Sequence, residues 1–117
     1  MRYEQPPHMT QAELEEAFGS GNGGKIRDAL VSASYSEEGK WVQDWCLRLS
    51  GHPDPIARYG VAVVLGNIAV LRRSEIDLAK CLEAVEKLGS DSEEQVRVAA
   101  KDSLCDVLHA IELKGTS

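Results

Sequence analysis

The chain reads as all-α, an α-α superhelix of about three helix pairs in a single domain. Three observations carry that reading. The stretch Asp54-Pro-Ile-Ala-Arg58-Tyr-Gly-Val-Ala-Val-Val-Leu65-Gly-Asn-Ile-Ala69 is a helix with its start signal attached. Asp54 offers a carboxylate to the first-turn amides, and Pro55 stands where a missing N–H costs nothing. Beyond the proline the segment is apolar nearly all round, so neighbours must cover it on more than one side. Second, apolar–polar alternation persists nowhere, so no strand is predicted. Third, the segment recurs. Asp54, Arg58, Val61, Leu65 and Ile68 align with Glu93, Arg97, Ala100, Leu104 and Val107, each 39 residues on (93 − 54; 104 − 65). That interval suits a repeating unit of two helices.

The elements follow in order, grouped as a lead-in (1–9), a divergent first pair (10–34), a second pair (36–71) and a third pair (74–113). Thr10-Gln-Ala-Glu13 is a capping box, in which each side chain meets a backbone donor of the other. It predicts a helix over Gln11–Phe18 that buries Leu14, Ala17 and Phe18. Gly19-Ser-Gly-Asn-Gly-Gly24 ends it, and Asn22 caps a second helix over Gly23–Ser34 with Ile26, Ala29, Leu30 and Ala33 inward. Ser36 is expected to open a third helix to Leu49, with Glu37 and Glu38 favouring the dipole in its first turn. Trp41, Val42, Trp45, Cys46 and Leu49 form one face of it. Gly51-His52-Pro53 breaks the chain before the Asp54 helix, which runs to Leu71. Ser74-Glu-Ile-Asp77 is read as the next start, with Ile76, Leu78, Ala79, Leu82, Val85 and Leu88 inward. Ser92-Glu-Glu-Gln95 is read as a capping box for a last helix over Glu93–Leu113. Its expected core face is Val96, Ala100, Leu104, Val107, Leu108 and Ile111, with Lys114–Ser117 as a tail.

Composition narrows the function. At 117 residues the chain makes one modest core. Nineteen acids against thirteen bases give a net charge of −6, which weighs against a direct nucleic-acid partner and suits a basic protein. No apolar leader or spanning segment is visible, so a cytoplasmic protein with no membrane partner is expected. Cys46, Cys81 and Cys105 are widely spaced among apolar neighbours. They read as reduced thiols packed as small hydrophobes. With no CxxC or Cys/His spacing, no metal and no cofactor are predicted.

The motif Asp54-Pro-x-x-Arg58-x-x-Val61-Ala-x-x-Leu65-Gly66 resembles the second helix of a HEAT repeat. The Glu93 copy lacks the proline, and Cys105 replaces the glycine. Trp41-Val-Gln-Asp-Trp-Cys-Leu47, His52-Pro-Asp-Pro55, Leu65-Gly-Asn-Ile-Ala69 and Asp102-Ser-Leu-Cys-Asp106 together resemble a family of small bacterial HEAT-repeat proteins. The likeness covers roughly residues 35 to 111. Members of that family sit beside polymorphic or contact-dependent toxins as immunity proteins. The resemblance implies a neutraliser that binds one toxin domain; a monomer in a heterodimeric complex is expected over a homo-oligomer, although a three-pair stack could also dimerise through an end repeat.

The resemblance also implies roles for single residues. Arg58 and Arg97 occupy one repeat position, where HEAT-like stacks pair an arginine with an acid of a neighbouring loop. In such stacks the second helices line the concave side. That side would carry Tyr59 and Asn67 from one helix and Asp102, Asp106 and His109 from the other. An aromatic anchor beside acids is a fit mouth for a basic partner. Trp41 is a further partner-binding residue if it is partly exposed.

Three motifs carry less. Gly19–Lys25 nearly fits GxxxxGK[ST], but Ile26 replaces the hydroxyl residue and a helix rather than a strand precedes the loop. His8, His52 and His109 are scattered, and Asp106 with His109 lacks a third ligand or a nucleophile. No catalytic constellation emerges, so the chain is read as a binding protein. The expected partner is a basic toxin domain such as a nuclease, its active site covered. The rival reading is a HEAT-type scaffold or adaptor for an enzyme complex such as a bilin lyase.

Overall fold

A computed structural model describes residues 9–115, so the lead-in before Met9 and the final two tail residues lie outside the described residues. Six helices account for the fold: α1 (Gln11–Phe18), α2 (Gly23–Ser36), α3 (Gly39–Leu49), α4 (Pro55–Leu71), α5 (Leu78–Leu88) and α6 (Glu94–Gly115), with a 3₁₀ turn at Arg73–Glu75. No strand occurs among the described residues. The fold is the all-α superhelix that the sequence predicts.

Local chemistry sets most helix starts. At α1 the Glu13 amide donates to Thr10 Oγ1 (3.2 Å) while the Thr10 amide donates to Glu13 Oε1 (3.0 Å), a complete capping box. Asn22 accepts from the Lys25 amide (3.1 Å) and Asp54 from the Ile56 amide (2.9 Å).

Three starts differ from the sequence reading: a tertiary contact explains the first, and a local aspartate cap each of the other two. Ser36 ends α2 rather than opening α3, and its hydroxyl bonds the Ser32 carbonyl (3.3 Å). Helix α3 begins at Gly39, whose amide donates to Glu75 Oε1 (3.0 Å), so a carboxylate from a distant turn replaces a local cap. Ser74 enters the 3₁₀ turn, and Asp77 caps α5 by accepting from the Lys80 amide (3.2 Å). Ile76 is buried but precedes the helix. At α6 the Glu93 amide donates to Asp91 Oδ1 (2.9 Å), so Asp91, not Ser92, meets the incoming turn. The helix then continues through Gly115, past the expected end at Leu113.

Consecutive helices pack as α1 with α2, α3 with α4 and α5 with α6, and short connections make each pair antiparallel. The second helices form one layer, with α4 between α2 and α6. This position explains why α4 is apolar nearly all round: nine of its seventeen residues are buried, among them Val61, Val64, Leu65 and Ile68. Two glycines set its spacing. A Cβ at Gly60 would lie 2.9 Å from Arg27 Cα on α2. A Cβ at Gly66 would lie 2.5 Å from Ser103 Oγ on α6. The glycines therefore let both neighbours approach α4 at backbone range. Across the second approach Ser103 Oγ donates to the Ala62 carbonyl at 2.5 Å.

Two core faces are rotated from the expected ones. On α6, Ala99, Ser103 and Ala110 are buried beside Val96, Ala100 and Val107, while Leu104 and Ile111 are half-buried and Leu108 is 48% exposed. The close approach at Ser103 turns the small residues towards α4, and the third pair ends the described stack. On α5, Cys81 and Ala84 are buried and Ala79 is exposed. Gln43 of α3, only 2% exposed, locks that helix in place. Its Oε1 accepts from the Asp77 amide (3.0 Å), while its Nε2 donates to the Asp77 carbonyl (2.7 Å) and lies 3.2 Å from Cys81 Sγ.

Candidate protein-binding groove

Residues four apart on a helix share a face. Tyr59, Val63 and Asn67 therefore line one side of α4, and Gln95, Val98, Asp102 and Asp106 line one side of α6. The two helices run parallel. Their first turns are joined at Arg58 and the Asp91 loop, and their middles meet at Ala62 and Ser103. Because small residues bring the backbones together, the larger flanking side chains rise as walls. The result is an open groove of about 630 Å³ lined by Tyr59, Val63, Asn67, Glu94, Gln95, Val98, Asp102 and Asp106, with Ala99 and Ser103.

The chemistry of this lining is one-sided. It holds three carboxylates, two amides, a phenol and two valines, and neither lysine nor arginine. Apolar surface is open to solvent within and beside it. Val98 is 52% exposed, and Ile56 (42%) and Val70 (54%) extend the outward line of α4 at its two ends.

The groove gathers four of the sequence-predicted site residues: Tyr59, Asn67, Asp102 and Asp106. His109 is exposed on α6 outside the lining, and among the described residues no hydrogen bond joins it to Asp106. Trp41 lies in the other layer. It is half-buried on α3, its ring 6.1 Å from Phe18 and 6.4 Å from Trp45. Phe18 and Trp45 are 4.7 Å apart, and the Arg48 guanidinium sits 4.7 Å above Trp45. Trp41 is thus a member of an aromatic cluster between α1 and α3, not of the groove. Sequence reasoning missed Glu94 and Gln95 because it spent them on helix capping. Their helical spacing from Val98 and Asp102, four residues (94 to 98) and seven (95 to 102), was the signal that points to them.

Arg58 ties the first turn of α4 to the loop before α6, and Arg97 ties α6 to that same loop. Arg58 forks the Asp91 carboxylate (2.8 and 3.1 Å) and donates to the His52 carbonyl (2.8 Å). Arg97 donates to the Asp91 carbonyl at 2.8 Å, the equivalent position six residues upstream. One loop earlier, Asp54 accepts from the Gly23 amide (2.9 Å) at the start of α2. The Arg58–Asp91 pair is well buried, with side chains 15% and 9% exposed. The Arg58 hydrogen bonds hold the Asp91 carboxyl below the ordinary carboxylate range and raise the guanidinium in turn.

The remaining displaced groups are thiols. Burial pushes Cys46 up and raises Cys81 to about 11. None of these four groups lines the groove. Among the described residues no group of three or more His, Cys, Asp or Glu is placed to hold a metal ion, and no helix is long and apolar enough to cross a membrane. The glycine-rich segment joins two helices, with Gly21 at φ 75° and Asn22 spent as a cap, unlike a phosphate loop leaving a strand.

Neither the protein-family models nor the curated proteins contain a match to this chain. Among solved structures, it is similar to a chain in the crystal structure of the CDI complex from Cupriavidus taiwanensis LMG 19424. The likeness has a TM-score of 0.72 and 30% sequence identity, and it covers 92% of this chain and 96% of that one. Identity at this level over nearly the full length of both chains joins sequence as well as fold: the chain belongs to the same protein family as this component of the CDI complex.

Proposed function

We propose that this chain is an immunity protein of a contact-dependent inhibition system, a non-enzymatic binding protein that neutralises one cognate toxin domain in the cytoplasm. The observation that carries the reading is the family relationship to a component of a CDI complex. The groove argues for the immunity side of such a complex. A toxin needs reacting groups held at a cleft, whereas this cleft offers an aromatic ring, amides and carboxylates whose one-sided charge suits a partner surface. The groups with displaced proton affinity instead hold helices together.

The partner is read as a basic domain, in keeping with the net charge of −6. A nuclease fits, because holding phosphate requires cations and an acidic face can occupy the same cleft. HEAT-like stacking of second helices provides the frame for that face, and the complex is one-to-one. The test is protection. Cells expressing the cognate toxin domain should grow when this chain is co-expressed and stop without it. Asp102→Lys combined with Asp106→Lys should abolish protection while leaving the thermal midpoint within a few degrees. Growth arrest despite the wild-type chain would refute the reading.

A further inference from the structure

The groove has a length, a charge spacing and a backbone chemistry, and these specify its occupant more narrowly than a basic protein. We propose that it receives an amphipathic helix of the partner, with cationic side chains at i and i+4 over Asp102 and Asp106 and a third cation about two turns away over Glu94. This rests on the reading of the chain as a partner-binding immunity protein.

Spacing is the first argument. Asp102 and Asp106 are four residues apart on α6, which at 1.5 Å per residue is about 6 Å along the axis, and Glu94 lies about 12 Å before Asp102. A helix lying along the groove repeats its own side chains at the same rise, so cations at i and i+4 meet both aspartates in register. Charge is the second argument. The lining holds three carboxylates and no base to neutralise them, so a cationic occupant gains attraction at each.

The third argument is the backbone. Both walls are helices, and beyond the first turn of α6 their amides and carbonyls are bonded within the helix, so the groove has no sheet edge to extend. An extended segment would lay unpaired N–H and C=O groups over Val63 and Val98, whereas a helix arrives with its backbone already bonded. The methylene stems of lysine or arginine then lie on Tyr59, Val63 and Val98 while their heads reach the acids. Tyr59 also presents a ring face to a guanidinium.

The experiment uses the intact chain with the toxin domain that it protects against in the co-expression test. A benzophenone side chain is placed at Val63 or Val98, and at exposed Lys80 on α5 as a control. Crosslinked peptides are then read by mass spectrometry. The expected result is that both groove probes mark one helical segment bearing Lys or Arg at i and i+4, while Lys80 marks nothing. Reversing those two cations to glutamate should weaken binding by at least about 100-fold, and the partnered reversal Asp102→Lys with Asp106→Lys should restore part of it. A complex that forms but crosslinks from the groove to a loop, a strand or an acidic segment overturns the helix and leaves the immunity reading standing. A complex untouched by either groove probe overturns the groove as the docking face. Failure to form any complex overturns both.

Discussion

Asp91 shows how much one side chain can decide. It receives the fork of Arg58, accepts the Glu93 amide that starts α6, and lends its carbonyl to Arg97. Charge-assisted bonds of this kind, shielded from water, are the stronger class. Asp91→Ala should therefore destabilise the fold by about 2–3 kcal/mol in urea titration, and Asp91→Asn, which keeps a carbonyl for the Glu93 amide, by less. The pH dependence follows from the lowered Asp91 pKa, caused first by the Arg58 hydrogen bond. Its unfolded value is about 3.9, so the stabilisation is fully present above that pH and is lost as pH falls through the folded value. Wild-type stability should drop as pH falls below about 4 by more than that of Asp91→Asn. Equal slopes would remove the pair from the account. A sequence reader sees that Arg58 and Arg97 recur. Which acid Arg58 meets is legible only once the α5–α6 loop is laid beside α4.

At the scale of elements, α4 is the most readable and α6 the least. The Asp54-Pro55 start and the all-round apolar pattern place α4 in the middle of the layer directly. Glycines 60 and 66 sit inside the helix because neighbours on both sides come to backbone range. Gly60→Ala gains up to about 1 kcal/mol of helix propensity, yet its Cβ would meet the Arg27 backbone at 2.9 Å. Overpacking of this kind costs about 1–3 kcal/mol, so a net loss and a lower thermal midpoint are expected. A midpoint unchanged or raised would show that α2 yields without cost. Helix α6 misled the periodicity reading because two apolar stripes compete on it. The larger residues Leu104 and Leu108 suggested the core face, but the contact through Ser103 rotated Ala99 and Ala110 inward instead.

For the molecule as a whole, charge is organised rather than merely abundant. The groove concentrates acids without bases, and a focused field of one sign steers an oppositely charged partner. Association of the chain with its toxin domain should slow by about tenfold or more as salt rises from 20 to 500 mM, with a smaller change in dissociation. Stopped-flow fluorescence of Trp41 and Trp45 would follow it only if binding is felt in their layer, so a label on the toxin is the better probe. A rate indifferent to salt would exclude a cationic occupant.

The sequence by itself determined the all-α class, the order of six helices, the caps at Thr10, Asn22 and Asp54, and the 39-residue offset that matches Val63 with Asp102 and Asn67 with Asp106. These are local or periodic properties, written in side-chain spacing and in which residues can meet a free amide. Tertiary structure alone decided the start at Gly39, the seat of buried Gln43, the rotation of α6 and the place of Trp41. Gly39, Gln43, Ser103 and Trp41 each depend on a partner between 23 and 41 positions away, brought near only by packing. The groove belongs to both. Its residues follow from the repeat, but its depth exists because Gly66 and Ser103 let two helix backbones approach.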